Sequence, residues 1–280
     1  MTSTVKKRRR LKSTTTKKPL AGKFLSKINV GTDSDAEIMF IYGPPGIGKT
    51  SLAAQAKDCV FLIDSKEDGI KTLKRHKRVH PNTAVLPPVT SWEDVLDTLD
   101  ELLDLEHSYK TIVIDSVTGI EALIHVHCCD EDFQGDWSVK GFHSFQQGYF
   151  LSAKKYLPIL IDKLDALKAK GISVILIGHS EIKNHADPER ESYDRYQPAI
   201  HHRTWAAIHK RADLILFLNS HVDLRKEGQK IKAEGGEDRY IHTSMSAAYD
   251  AKNRHGLPAS IDMGDSPKEA WTNLQKAITE

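Results

Sequence analysis

The stretch "YGPPGIGKTSLAAQ", residues 42 to 55, limits what this chain can fold into more than any other. Gly43, Gly48, Lys49 and Thr50 fit the spacing G-x-x-x-x-G-K-[ST] of a phosphate-binding loop. Pro44, Pro45, Gly46 and Ile47 lie between the glycines, and Ser51 follows. Such a loop curls its backbone so that successive N–H groups converge on one anion, with a helix N-terminus behind them. Lys49 reaches the β and γ phosphates of a nucleotide, and the Thr50 hydroxyl binds Mg²⁺. "EIMFIY" (37–42) reads as the buried strand that must precede the loop, and "SLAAQAK" (51–57) as the start of the helix that must follow. ATP with Mg²⁺ is the expected ligand pair.

Strands and helices alternate from that point. "CVFLID" (59–64), "NTAVLPP" (82–88), "TIVIDSVTG" (111–119), "ISVILIGHS" (172–180) and "ADLILFLNS" (212–220) read as strands. "SWEDVLDTLDELLDL" (91–105) has apolar residues at helical spacing behind a Ser N-cap. "LSAKKYLPILIDKLDALKAKG" (151–171) reads as a helix bent at Pro158 and stopped by Gly171. This alternation predicts an α/β fold, a mostly parallel sheet with helices on both faces, whose ligands bind at the carboxyl ends of the strands. "GQKIKAEGGEDRYIHTSMS" (228–246) predicts a short antiparallel C-terminal extension around a Gly-Gly turn. The expected organisation is a basic tail over residues 1–30, an ATPase domain over 31–265, and a C-terminal helix or tail over 266–280.

Charge is unevenly spread. The formal net charge of +2 conceals ten Lys and Arg residues and no acid within residues 1–28, leaving 30 basic against 38 acidic residues afterwards. A disordered leader, a nuclear import signal and an arm neutralising nucleic-acid phosphates all have this composition. No apolar run is long enough for a membrane span, and no secretory apolar segment opens the chain. Three cysteines are too few for a disulfide framework and suit a reducing cytosol, so a cytoplasmic protein is expected. His125, Cys128 and Cys129 share a helical face, but without a fourth ligand they read as a packed face rather than a zinc site.

Asp115 closes an apolar strand, where the second Mg²⁺-organising carboxylate of a phosphate-loop ATPase belongs. AAA+ ATPases usually place a glutamate next, to activate water; this chain has Ser116. The acid would then come from elsewhere, and "FLIDSKEDG" (61–69) is the expected source, with Glu67 as the base and Asp64 and Asp68 as its rivals, unless the stretch is only a solvated acidic turn.

The order of these segments resembles the RecA-like ATPases over residues 36 to 262, and most of all the bacteriophage-encoded RecA-like ATP-binding proteins of single-strand annealing and recombination. The resemblance implies that His179, in "GHS", senses the γ phosphate, where RecA itself has glutamine. "AKNRHGLP" (251–258) resembles a segment of RecA-like hexameric helicases that offers Lys252 and Arg254 to a neighbouring subunit's nucleotide. It therefore implies a ring or filament of identical chains in the cytoplasm of a bacterial host. It also implies single-stranded DNA as partner, held by residues 130–148 and 180–204, with a single-strand-binding protein as a candidate companion. Phe133, Trp137, Phe142 and Phe145 in the first segment offer rings for base stacking, or else pack the loop down. The second mixes Lys183, Arg190, Arg195 and Arg203 with five acids and is no basic patch. Beside an ATPase of recombination, annealing or replication stand two alternatives: a nucleotide-dependent assembly switch with little turnover, and a hexameric helicase-like motor.

Overall fold

Side-chain alternation along five apolar strands sets the architecture. The computed structural model describes residues 35–67, 69–189, 191–227 and 230–280. The expected basic tail, Asp68 and Arg190 lie outside the described residues. The strands are β1 (Ile38–Gly43), β2 (Cys59–Ile63), β3 (Ala84–Val85), β4 (Thr111–Asp115), β5 (Ser173–His185), β6 (Tyr193–Pro198), β7 (Leu214–Glu227), β8 (Lys230–His242), β9 (Lys252–Asn253) and β10 (Ser260–Asp262). The helices are α1 (Lys49–Ala53), α2 (Gly69–Arg75), α3 (Trp92–Asp104), α4 (Val117–Phe133), α5 (Gln147–Leu151), α6 (Leu157–Ala169), α7 (His202–Arg211) and α8 (Pro267–Thr279).

The sheet runs β10-β8-β7-β1-β5-β4-β2-β3. From β7 to β3 every neighbouring pair is parallel, while β8 and β10 extend the sheet antiparallel. The result is an α/β fold with a mostly parallel mixed sheet. Successive residues of a strand face opposite sides. Ile38, Phe40 and Tyr42 of β1 thus join one core with α3, α4, α6 and α7, whereas Met39 and Ile41 join the other with α1, α2 and α8. Each fully buried side chain of this size contributes about 1.5–3 kcal/mol. A helix on only one face would leave half of them in water.

Local chemistry explains the helix limits. Ser91 caps α3 by accepting from the Asp94 N–H at 3.0 Å, and the Asp94 carboxylate accepts from the Ser91 N–H at 3.0 Å. The expected bend near Pro158 occurs one turn earlier: a π-helical turn over Ser152–Tyr156 precedes α6, and Pro158 sits in the first turn of α6. Proline lacks an N–H, and the first turn is where none is needed. Helix α1 is shorter than 51–57 suggests, ending at Ala53.

Three expectations are corrected. The antiparallel extension is long rather than short, because β7 and β8 pair from Phe217 and His242 out to Glu227 and Lys230. Gly235 and Gly236 form no turn: they lie inside β8, at φ 92° and 98°, where the register shifts between Ser220 and Val222. That is a bulge, which glycine's freedom at positive φ permits. Residues 180–204 are no open loop either, since β5 and β6 pair as a hairpin from Ser180–Pro198 to His185–Tyr193 and α7 begins at His202.

Candidate active site

Glycine is required where the loop leaves β1. A Cβ on Gly43 would stand 2.3 Å from the carbonyl oxygen of Leu218 in neighbouring β7. Gly48, at φ 109°, occupies left-handed backbone that side chains disfavour. Both positions keep the chain tight against the sheet edge, so Lys49 is delivered to the mouth of a cavity of roughly 860 Å³. Pro45, Gly46, Gly48, Lys49, Thr50 and Ser51 line it. The Lys49 ammonium donates to the carbonyls of Gly43 at 2.8 Å and Pro44 at 3.0 Å. Burial lowers its pKa, while Asp115 and Glu67 pull in the opposite direction.

Period two brings the other groups to the same side. Val113, Ile177 and Ile63 lie in the core on the α1 face. Two residues beyond Val113 is Asp115, and two beyond Ile177 is His179, whose Cα is in register with Gly43. Asp115 is joined to Ser116 by a cis peptide bond. Its carboxylate accepts from the Thr50 hydroxyl at 2.7 Å. Burial raises the Asp115 pKa, countered by that hydrogen bond. A hydroxyl and a carboxylate in contact form a hard, all-oxygen set, and this is the donor chemistry Mg²⁺ takes. Ser116 turns away from this work: its hydroxyl accepts from the Gly119 N–H at 3.3 Å and caps α4.

The same periodicity separates the rival acids. Ile63 faces α1, so Asp64 faces the other way, buried against the first turn of α4 at Gly119 and accepting from the Lys66 N–H at 2.8 Å. The chain then turns back, and Glu67 comes into the cavity with an oxygen 3.4 Å from His179 Nε2. Lys49, Thr50, Glu67, Asp115 and His179, contributed by four segments, therefore line one cavity.

Lys252 and Arg254 are not brought there. Lys252 donates to the His209 carbonyl at 2.6 Å, and Arg254 pairs with Asp213 at 2.9 Å. Both also approach the Lys210 carbonyl at 3.4 Å, so they share a side as their alternation implies. Asp213 accepts from the Ile38 N–H at 3.0 Å, which fixes this cluster at the start of β1. The loop lies at the other end of that strand, five residues and roughly 17 Å away. Neither cation lines the cavity at the loop.

The two expected DNA segments also divide. Phe142 is fully buried, edge-on to Phe133 and 4.6 Å from Trp137, whereas Phe145 is 91% exposed. His125 packs edge-on against Tyr149, and Cys128 donates to the Gly148 carbonyl at 3.6 Å. Among the described residues no group of three or more His, Cys, Asp or Glu side chains is placed to hold a metal. None of the described helices is long and apolar enough to cross a membrane.

Sequence reasoning missed the rest of the cavity wall. Thr72, Leu73, Lys77 and Arg78 come from α2 and the turn after it, Arg239 from β8, and Met263, Asp265, Ser266 and Pro267 from the entry to α8. The only bearing the sequence had on them was the two-residue spacing of Arg239 from the apolar Ile241, which puts both on one face of a strand without saying what that face meets. Among curated proteins none matches the sequence. A family model described as an AAA domain matches residues 36–255, well over half of the chain. With a phosphate-binding loop, an aspartate-ended strand and a mostly parallel sheet to bear it out, the chain belongs to the AAA domain family of phosphate-loop ATPase type.

Proposed function

We propose that this chain is a RecA-like ATPase that hydrolyses ATP and couples it to single-stranded DNA, in phage recombination, annealing or replication. The observation that carries the reading is the convergence of Lys49, Thr50, Glu67, Asp115 and His179 on one cavity. Lys49 holds the phosphate chain, and Thr50 and Asp115 are the residues that would hold Mg²⁺. Bound Mg²⁺ neutralises charge on the phosphate oxygens. Glu67 orients water and takes its proton. The His179 ring, within reach of Glu67, registers the γ phosphate.

Strand β5 supports the link to DNA. It is buried from Val174 to Gly178, carries His179 at the cavity, and continues without a break into the β5–β6 hairpin. A strand engaged by that hairpin would pull on the same segment that bears His179. Phe145, exposed within residues 130–148, supplies a ring for stacking.

The test measures ATP turnover alone, with single-stranded DNA and with duplex. Single strands should stimulate the wild type, and Glu67→Gln should bind ATP but turn over about 10²–10⁴-fold more slowly. ATP binding with no turnover under any condition would favour the assembly switch. Strand displacement on a forked duplex would favour the helicase motor.

A further inference from the structure

We infer that Arg239 is a phosphate-contacting residue of the chain's own nucleotide site, a cation reaching the loop from the side opposite Glu67 and Asp115. The inference rests on reading the cavity as a triphosphate site. Arg239 stands two residues before Ile241 in β8 and so shares its face. Ile241 is buried in the core on the α1 side, opposite Leu218 of β7. Leu218 in turn presses its carbonyl against Gly43, the first residue of the loop. Following β8 outward by two residues carries the Arg239 side chain past the core edge and over the loop. There its guanidinium nitrogen lies 3.5 Å from the point where a Cβ on Gly48 would stand.

The backbone beneath Arg239 is held on both sides. Arg239 pairs with Ser220 in β7, and its carbonyl accepts from the Met263 N–H at 2.9 Å. The register shift between Ser220 and Val222 begins immediately beyond. Bulges next to active sites re-aim side chains. The guanidinium itself makes no hydrogen bond or ion pair among the described residues, although Asp265 lines the same wall. Arginine presents its donors in a planar fork that fits phosphate oxygens.

Without Arg239 the cavity is lined by Lys49, Lys77 and Arg78 and by Glu67, Asp115 and Asp265, so Arg239 tips its charge towards an anion. Lys49 shares its surroundings with Asp115 and Glu67, both on the β4 and β2 side. Across β1, on the β7 and β8 side, Arg239 faces the loop with no carboxylate bonded to it among the described residues. A triphosphate lying along the loop would have Lys49 beneath it and Arg239 beside it.

The experiment titrates ATP and inorganic tripolyphosphate, each with Mg²⁺, against wild type, Lys49→Ala, Arg239→Ala, Arg239→Gln and Arg239→Lys. Unfolding midpoints without ligand identify any variant that has lost its fold; Arg239→Gln keeps most of the side-chain stem and Arg239→Lys keeps the charge. A lost hydrogen-bonded charge should weaken both ligands about tenfold or more in the Ala and Gln variants, with partial recovery in Lys. Unchanged affinities in Arg239→Ala and Arg239→Gln, with binding lost in Lys49→Ala, would overturn the Arg239 assignment alone. Weakened ATP but unchanged tripolyphosphate would also overturn it, by moving the guanidinium to the base or ribose. A wild type that binds neither ligand would remove the nucleotide reading and this inference with it.

Discussion

Asp115 is a carboxylate held where its charge is penalised. Burial raises its pKa, and nearby Glu67 raises it further, while the Thr50 hydroxyl, His179 and Lys49 lower it. The sign follows from linkage: a carboxyl whose folded pKa exceeds its unfolded one stabilises the fold below the ordinary carboxylate range, and that contribution is lost as pH rises through the raised value. At neutral pH the charge is therefore a cost of folding, kept for what it binds. Asp115→Asn preserves an oxygen to accept from Thr50 but removes the charge. It should raise the unfolding midpoint of the nucleotide-free protein, by about 2–4 °C for each ~1 kcal/mol relieved, and it should abolish Mg²⁺-dependent ATP turnover. Calorimetry and a phosphate-release assay on the same sample check both, and a lower midpoint would count against the burial argument. Glu67 shows how narrow such distinctions are. Asp64, three residues earlier, is discarded only because its strand position faces α4.

Residues 130–148 combine two tasks in one segment. Phe142 is enclosed by Phe133, Trp137, His125 and Tyr149, and the Gly148 backbone passes so close that a Cβ there would stand 2.2 Å from the ring. Three residues on, Phe145 is held at φ 44° with its ring in solvent. A side chain at positive φ is strained, and such strain persists only where the surroundings impose it. Phe142→Ala should destabilise the protein by about 3–5 kcal/mol through the cavity it leaves. Phe145→Ala should leave stability within about 0.5 kcal/mol and weaken single-stranded DNA binding by about 1–3 kcal/mol, the contribution of one stacked base. Denaturant titration and fluorescence anisotropy separate the two. Equal DNA affinity for Phe145→Ala and wild type would remove this segment from the interface.

For the molecule as a whole, the placement of Lys252 and Arg254 is decisive. They sit at the end of the sheet where β1 begins, tied to Asp213 and the last turn of α7, while the loop sits where β1 ends. We propose that they act on a neighbour's nucleotide in a ring or filament, with Arg254 exchanging Asp213 for phosphate. Arg254→Ala and Lys49→Ala proteins should each be nearly inactive. Mixed, they should recover turnover at interfaces that join an intact loop to an intact arginine. Arginines donated between subunits contribute on the order of a thousandfold or more, so even a small fraction of such interfaces is measurable. Absence of recovery in demonstrated mixed assemblies would leave Arg254 as a structural partner of Asp213.

Local signals were enough for several parts of this protein. The loop from Gly43 to Thr50, the Ser91 cap and the alternating runs of β1, β2, β4, β5 and β7 are determined by neighbours in the chain, because phosphate cradles, caps and two-faced strands are short-range physics. Asp115 was legible for the same reason, as an acid ending an apolar strand, whereas His179 was named only through the resemblance and lies inside β5, which runs on to His185. What only the tertiary structure decided depends on which strands lie side by side. That β5 separates β1 from β4, that the chain after Asp64 turns back to bring Glu67 to the cavity, and that Gly235 and Gly236 bulge rather than turn were decided by the fold around them. Arg239 is the clearest case. It lies 190 residues after Lys49, and only the pairing of β8 with β7 and of β7 with β1 brings it to the loop, because long-range register carries no signature in either segment alone.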